Sequence, residues 1–225
     1  MVSFVLTEKN RKGKRNMLKE LVHNGLCMLW QGAAVKNDQL FRGNADFSSW
    51  MTQEEAGFAE GKGNQYQPST DALIKVLKRF PISEKDAIID LGCGKGKAMY
   101  LMEHFPFRKI GGYDLSEELV QIANQNFQKL GISRCHAIQA DAMAYEDYDE
   151  YNYFYIFNAF PQEVFKVMIS HVLESIRRQP RTCYFIYLHP VCHEYLVSHT
   201  PFRLIYKRRS VVSWFDYYCY QYDAC

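Results

Sequence analysis

The run D-L-G-C-G-K-G, Asp90 to Gly96, does most to limit what this chain can fold into. It follows a short β-branched apolar stretch, Ala87 to Ile89, and leads into a segment with helical character. A glycine turn between a strand and a helix belongs to a parallel α/β sheet, at the carboxyl ends of the strands, where such sheets bind ligands. Glycine tolerates positive φ and lets backbone come close to a ligand. A pyrophosphate-binding loop needs G-x-G-x-x-G, so that a phosphate meets the helix N-terminus. Counting from Gly92 gives Gly94 and then Lys97 where the third glycine would stand. The pattern is instead G-x-G-x-G with an acid two residues ahead, which suits a ligand carrying a cationic amine and no phosphate.

The rest of the chain supplies the alternation that this loop demands. STDALIKVLKRFP (69–81) predicts a helix with Ser69 or Thr70 as N-cap, a stripe of Leu73, Ile74, Leu77 and Phe80, and Pro81 as the stop. DAIIDLG (86–92) predicts the first strand and Lys95 to His104 a helix; KIGGYD (109–114) predicts the second strand. SEELVQIANQNFQKLG (116–131) predicts an amphipathic helix capped by Ser116 and ended by Gly131. HAIQAD (136–141) and YNYFYIFNAF (151–160) predict the third and fourth strands. QEVFKVMISHVLESIRRQP (162–180) predicts a long helix with Val164, Met168, Val172 and Ile176 inward. TCYFIYLHP (182–190) predicts a fifth strand and VCHEYLVSH (191–199) a short helix.

The C-terminal stretch FRLIYKRRSVVSWFDYYCYQY has two β-rich runs around a basic turn and reads as an antiparallel hairpin. The expected fold is therefore α/β: a doubly wound, mostly parallel, seven-stranded sheet with right-handed crossovers, a C-terminal hairpin and an N-terminal helical extension. Residues 1–65 are expected to form that extension or a lid, and 66–225 the ligand-binding domain.

Composition closes off several alternatives. A net charge of +2 over 225 residues is too mild to argue for nucleic acid. The basic run at residues 9–19 (Lys9, Arg11, Lys12, Lys14, Arg15, Lys19) reads as a solvated arm, so a nucleic-acid partner is not expected. The seven cysteines are scattered without a C-x-x-C, which points to free thiols in a reducing cytoplasm and to no metal site. His189 and His193 are separated by Pro190 and do not share a helix face, so they are not expected to bind metal. No apolar run reaches membrane-spanning length, and the expectation is a cytoplasmic protein of open oligomeric state.

Three acids fall at the ends of successive predicted strands: Asp90, Asp114 and Asp141. With the glycine loop, this arrangement resembles the first motifs of class I S-adenosylmethionine-dependent methyltransferases. Asp114 alone would serve a dinucleotide equally well, and Asp141 alone reads as well as a cap or loop residue. The similarity extends through YQPSTDALIKVL, DLGCGKGKAMYL, PFRKIGGYDLSEELVQIANQN, FNAF, ESIRRQPR and YLHP with His193 and Tyr195, roughly residues 64–208. In those segments the chain is similar to a bacterial-type group of these methyltransferases. The Y-x-P-S/T element also occurs in some protein-lysine methyltransferases, where it folds over the methionine end of the cofactor.

The resemblance implies S-adenosyl-L-methionine as cofactor. It implies that Asp90 shapes the loop and holds the methionine amine, and that Gly92, Cys93, Gly94 and Gly96 let the backbone approach the methionine portion. Asp114 with Leu115 would meet the ribose, Asp141 with Ala142 the adenine, and Tyr66 and Thr70 the methionine end. Cys93 reads from its own setting as a small buried residue. The fourth strand would deliver Asn158 to the departing methyl group, as an acceptor-side and cofactor-facing residue. Relatives carry N-P-P-F or N-P-F there; here the run is Asn158-Ala159-Phe160 with Pro161 one place later. The expected activity is methyl transfer to an unidentified acceptor, a small molecule or a protein side-chain amine. The alternatives are a nicotinamide-dependent oxidoreductase and a catalytically silent cofactor-binding module.

Overall fold

A computed structural model of the chain describes residues 32–38, 40, 42–49, 51–57 and 66–224. The basic run at 9–19 and the glycine-rich stretch at 58–65 lie outside the described residues. The chain divides into two compact units, Met1–Asn44 and Ala45–Cys225. In the first, residues 32–38 are helical and Arg42 Nη1 pairs with Asp38 Oδ1 at 2.8 Å.

The second unit is built on one seven-stranded sheet. Its elements are α1 (Ala72–Leu77), β1 (Ala87–Leu91), α2 (Lys97–Met102), β2 (Lys109–Asp114), α3 (Glu117–Lys129), β3 (Cys135–Gln139) and β4 (Tyr153–Phe157), followed by α4 (Gln162–Arg178), β5 (Cys183–Leu188), α5 (His193–His199), β6 (Arg203–Arg208) and β7 (Tyr217–Tyr222). The strand order is β3-β2-β1-β4-β5-β7-β6. The first five of these pair in parallel, and β7 runs antiparallel between β5 and β6. The two C-terminal strands are expected as a hairpin and do pair, with a register shift between Leu204 and Tyr206. A 3-10 turn, Ser213–Phe215, occupies their connection.

The two-residue period of a strand decides which helices cover which face. Tyr153 and Tyr155 of β4 join the cluster that holds Leu73, Val76 and Leu77 of α1, Met99 of α2 and Phe127 of α3. Phe154 and Ile156 point to the other face, against Phe165, Met168 and Val172 of α4 and Leu196 of α5. Helix α3 forms where its sequence demands: Ser116 Oγ accepts from Leu119 N at 3.1 Å, and two acids stand in its first turn.

Several boundaries differ from expectation for local reasons. The fourth strand stops at Phe157 rather than running to residue 160, because Asn158 turns to a left-handed φ of 40°. Asparagine is among the few non-glycine residues that adopt that region readily. Helix α2 begins only after Gly96, whose φ of 81° is the last step of the loop. Asp71 occupies the N-cap position of α1 but its side chain does not cap the helix, while the Ser69 and Thr70 hydroxyls turn to Tyr155 and Tyr217. In α4, Phe165 and Ile169 take core positions, and Val164 stays half-buried and lines the cleft below. Among the described residues, no helix is long and apolar enough to cross a membrane.

Candidate functional site

The order β2-β1-β4 reverses the direction in which the sheet is built, and the crevice at that switch point is where doubly wound sheets hold ligands. A cleft of about 480 Å³ opens there, at the carboxyl ends of β1, β2 and β4. Asp90, Asp114 and Asp141 all line it, together with Gly92, Cys93, Gly94, Leu115, Ala142 and Asn158. Three acids far apart in the chain are thus gathered around one space, as the loop pattern requires.

The loop is tied to β2 by backbone bonds. Gly92 N and Cys93 N both donate to Tyr113 O, at 3.0 and 2.8 Å. Asp114 closes the arrangement: its Oδ2 accepts from Gly94 N at 2.9 Å and its Oδ1 from Ser116 N at 3.1 Å. Burial pushes the Asp114 carboxyl up, and the backbone donors at Ser116, Gly94 and Leu115 offset part of that push. Asp90 stands opposite Tyr155 in the β1–β4 register and is 2% exposed. Burial, reinforced by the Asp114 charge, pushes the Asp90 carboxyl well above the usual carboxylate range. Asp141 Oδ1 accepts from Met143 N at 2.9 Å, which fixes the turn after β3.

The loop glycines meet protein side chains as well as the cleft. A Cβ on Gly92 would lie 2.3 Å from the Ala159 Cβ, and one on Gly94 would lie 2.3 Å from Tyr66 Cε2. One on Gly96 would lie 2.5 Å from Phe127 Cζ, so Gly96 serves helix packing and does not line the cleft. Ala159 thus fills the position against Gly92. The Cys93 thiol is buried, and burial followed by the charges of Asp114 and Asp90 pushes it well up, leaving a neutral filler between loop and sheet.

Tyr66 lines the cleft, and its hydroxyl donates to Phe47 O at 2.5 Å. Thr70 is not among the lining residues. Its Oγ1 and the Tyr217 hydroxyl are 3.3 Å apart, while neighbouring Ser69 lines the cleft and meets the Tyr155 hydroxyl at 2.8 Å. Asn158 lines the cleft beside Phe157 and Phe160, its backbone turned by the left-handed φ. His189 also has positive φ, and its ring stacks on Trp214 with centroids 3.8 Å apart. His193 is engaged elsewhere, with Nδ1 2.8 Å from the Tyr220 hydroxyl.

Two contributors to the site carry no local sequence signal. Trp214 lines the cleft and donates from Nε1 to Gln67 Oε1 at 2.8 Å. Asn126, fully buried in α3, accepts from Asp46 N at 2.8 Å and donates to Asp46 O and Lys95 O at 3.0 and 3.1 Å. Lys95 Nζ bonds Asp46 Oδ2 at 2.9 Å and Ser49 O at 3.0 Å, so the loop is strapped to residues 46–49. The five described cysteines are buried free thiols.

The family described as "Methyltransferase domain" matches residues 82–196. Ribosomal protein L11 methyltransferase of Staphylococcus saprophyticus is 29% identical over 84 residues, 37% of this chain and 26% of that protein. Trans-aconitate 2-methyltransferase of Azoarcus sp. is 29% identical over 98 residues, 43% of this chain and 34% of that protein. The chain thus spans only 26% and 34% of the length of these relatives. An RNA methyltransferase from Salinibacter ruber, solved with S-adenosyl-L-homocysteine, shares the fold at a TM-score of 0.52 and 14% identity, over 69% of this chain and 94% of that one.

Proposed function

The chain belongs to the methyltransferase-domain family, and from that premise we propose that it moves a methyl group from S-adenosyl-L-methionine to an acceptor at the Asn158 end of the cleft. The observation that carries this is the convergence of Asp90, Asp114 and Asp141 with the glycine loop on one cleft of about 480 Å³. The residues fit the cofactor. Asp90 is a buried carboxyl whose ionised form lacks a cation, and the methionine ammonium supplies one. Each Asp114 oxygen already accepts one backbone N–H and has a further lone pair for a ribose hydroxyl. Asp141, with Ala142, faces the adenine end, and Leu115 and Leu119 supply apolar wall.

When bound, the cofactor supplies an activated methyl on a sulfonium, so the hard chemistry is its own. The protein's part is alignment and exclusion of water. Tyr66, packed against Gly94, covers the loop; Ser69 takes the methionine-end position that the sequence assigns to Thr70. Asn158, set at the strand end by its left-handed backbone, is the acceptor-side residue that orients the nucleophile. The acceptor on this reading is a small molecule rather than a nucleic acid, and the setting is the cytoplasm, in keeping with buried free thiols. The nicotinamide alternative gains no support: the family matched is a methyltransferase domain, and Lys97 stands where the dinucleotide loop needs glycine.

Calorimetry with S-adenosylhomocysteine tests the reading. Wild-type protein should bind it, and Asp114→Ala should weaken binding about ten- to a hundredfold, the loss of hydrogen bonds to a charged group worth roughly 1.5–3 kcal/mol. No binding at millimolar ligand would sink the proposal. Binding without methyl transfer to any acceptor would identify the silent module instead.

A further inference from the structure

We propose that Lys95 is a positioning residue for the methionine end of the cofactor: its buried ammonium clasps residues 46–49 onto the glycine loop and so holds Tyr66 against the cleft. This rests on the methyl-transfer reading above. Lys95 belongs to the loop but is not among the residues that line the cleft. It is 1% exposed, a rare place for an ammonium, and all three of its donors find acceptors. Nζ donates to Asp46 Oδ2 at 2.9 Å, to Ser49 O at 3.0 Å and to Ser49 Oγ at 2.5 Å.

The loop needs such a tie. Between Gly92 and Gly96 only Cys93 and Lys95 carry side chains, and both Gly94 and Gly96 hold positive φ. A backbone so rich in glycine is not held by its own rotamers. Cys93 packs towards β2, where a Cβ on Gly112 would lie 2.9 Å from the Cys93 Cβ. Lys95 reaches instead to residues 46–49. The two side chains thus pin the loop to the sheet on one hand and to the strap on the other.

Tyr66 carries the effect to the ligand. Its ring fills the place of a Gly94 Cβ, its hydroxyl donates to Phe47 O at 2.5 Å, and Lys95 Nζ lies 5.5 Å from the ring centroid. The same ring lines the cleft, so the strap acts on the bound molecule through it. Farther along, Ala56 is buried with Tyr66 and with Leu119, a second cleft residue, and Met51 packs on them. Asn126 fixes the strap at its start, through bonds to Asp46 N and O at 2.8 and 3.0 Å. Residues 46–66 precede the matched stretch 82–196, so this cover comes from outside the shared domain. A site is only as well placed as the groups that hold its walls, and here Lys95 is the group that joins wall to loop.

The test uses full-length protein and two ligands: S-adenosylhomocysteine, and 5′-methylthioadenosine, which lacks the amino-acid end. Lys95→Met keeps the aliphatic stem and removes the ammonium. It should weaken S-adenosylhomocysteine binding by about tenfold or more, while 5′-methylthioadenosine affinity changes by less than about twofold. Asp46→Ala should have the same selective effect to a smaller extent, and the double variant should lose no more than Lys95→Met alone. Arg134→Met is the control for lost stability. Its guanidinium, at the amino end of β3, bonds Glu103 and the carbonyls of Phe105 and Phe107, so the variant should melt earlier with both affinities unchanged. Unchanged S-adenosylhomocysteine affinity in Lys95→Met, an equal loss for the two ligands, or the same selective loss in Arg134→Met would overturn the proposal. If circular dichroism shows Lys95→Met unfolded, Tyr66→Phe reads the same clasp by deleting the bond to Phe47, and an unselective effect there overturns it equally. Failure of the wild-type protein to bind S-adenosylhomocysteine would overturn the parent reading instead.

Discussion

At the scale of single residues, the loop owes its shape to two constraints that act together at Gly92. Its φ of 81° disfavours any side chain, and the Ala159 methyl occupies the place of a Cβ at 2.3 Å. Gly92→Ala should therefore cost about 1–3 kcal/mol from the backbone, with a further roughly 1–3 kcal/mol from overpacking. Adding Ala159→Gly should recover the packing part and leave the backbone part, which urea denaturation of the double variant would read out. Asp90 gives a prediction of opposite character. Burial, then the Asp114 charge, raises its carboxyl above the ordinary range, so between the unfolded pKa and the higher native one the native protein holds a proton that the unfolded chain has released. Stability from this group is full below the unfolded pKa and falls as pH rises towards the higher native value. Asp90→Asn should accordingly raise the melting temperature of the ligand-free protein at neutral pH by a few degrees, with the difference closing near about pH 4. The same change should weaken cofactor binding, since the cation loses its partner. A lower melting temperature at neutral pH would refute the assigned state of Asp90.

At the scale of elements, α3 links the loop to the rest of the second unit. Asn126 makes three bonds to backbone at Asp46 and Lys95; the one to Lys95 O is buried and the two at Asp46 are part-buried. Asn126→Leu leaves the buried Lys95 carbonyl unpaired, at about 1–3 kcal/mol, with a smaller loss at the part-buried Asp46 groups. The expected result is a loss of more than about 2 kcal/mol in denaturant unfolding and weaker S-adenosylhomocysteine binding. Unchanged affinity would show that the strap at residues 46–49 does not support the loop. The helix itself was legible from Ser116, the paired glutamates and the apolar stripe, because those signals are local. That the glycine loop and the three acids line one cleft is legible too, since glycine spacing and strand-end acids sit in short runs. The fourth strand was read too long because its aromatic run continues to Phe160; the chain turns at Asn158, and only the backbone shows it. Trp214 and Gln67 stand 147 residues apart, as do Thr70 and Tyr217, and nothing local in either segment announces such a pairing. That Ser69 rather than Thr70 lines the cleft depends likewise on Tyr155 and Tyr217, both contributed from elsewhere.

At the scale of the whole molecule, the matched stretch 82–196 leaves out part of the second unit. It lacks α1, β6 and β7, and each covers something that must stay covered. Leu73, Val76 and Leu77 are wholly buried against the face that holds Tyr153 and Tyr155. Their burial is worth about 2 kcal/mol each, together about 6 kcal/mol, against a total of about 5–15 kcal/mol for a typical domain. Without β7, the strand β5 becomes an edge whose residues from Cys183 to Leu188 are nearly all buried apolar or aromatic. A flat apolar edge of that kind pairs with other chains. Residues 82–196 expressed alone should therefore aggregate or remain unfolded. Residues 45–225, which keep the sheet, α1 and the strap to Lys95, should give a monodisperse, cooperatively melting protein that binds S-adenosylhomocysteine as the full chain does. Size-exclusion chromatography with circular dichroism separates the outcomes. A soluble, cofactor-binding 82–196 fragment would mean that the flanking segments are dispensable for the fold; its failure beside a working 45–225 would mean that α1, β6 and β7 hold the sheet together.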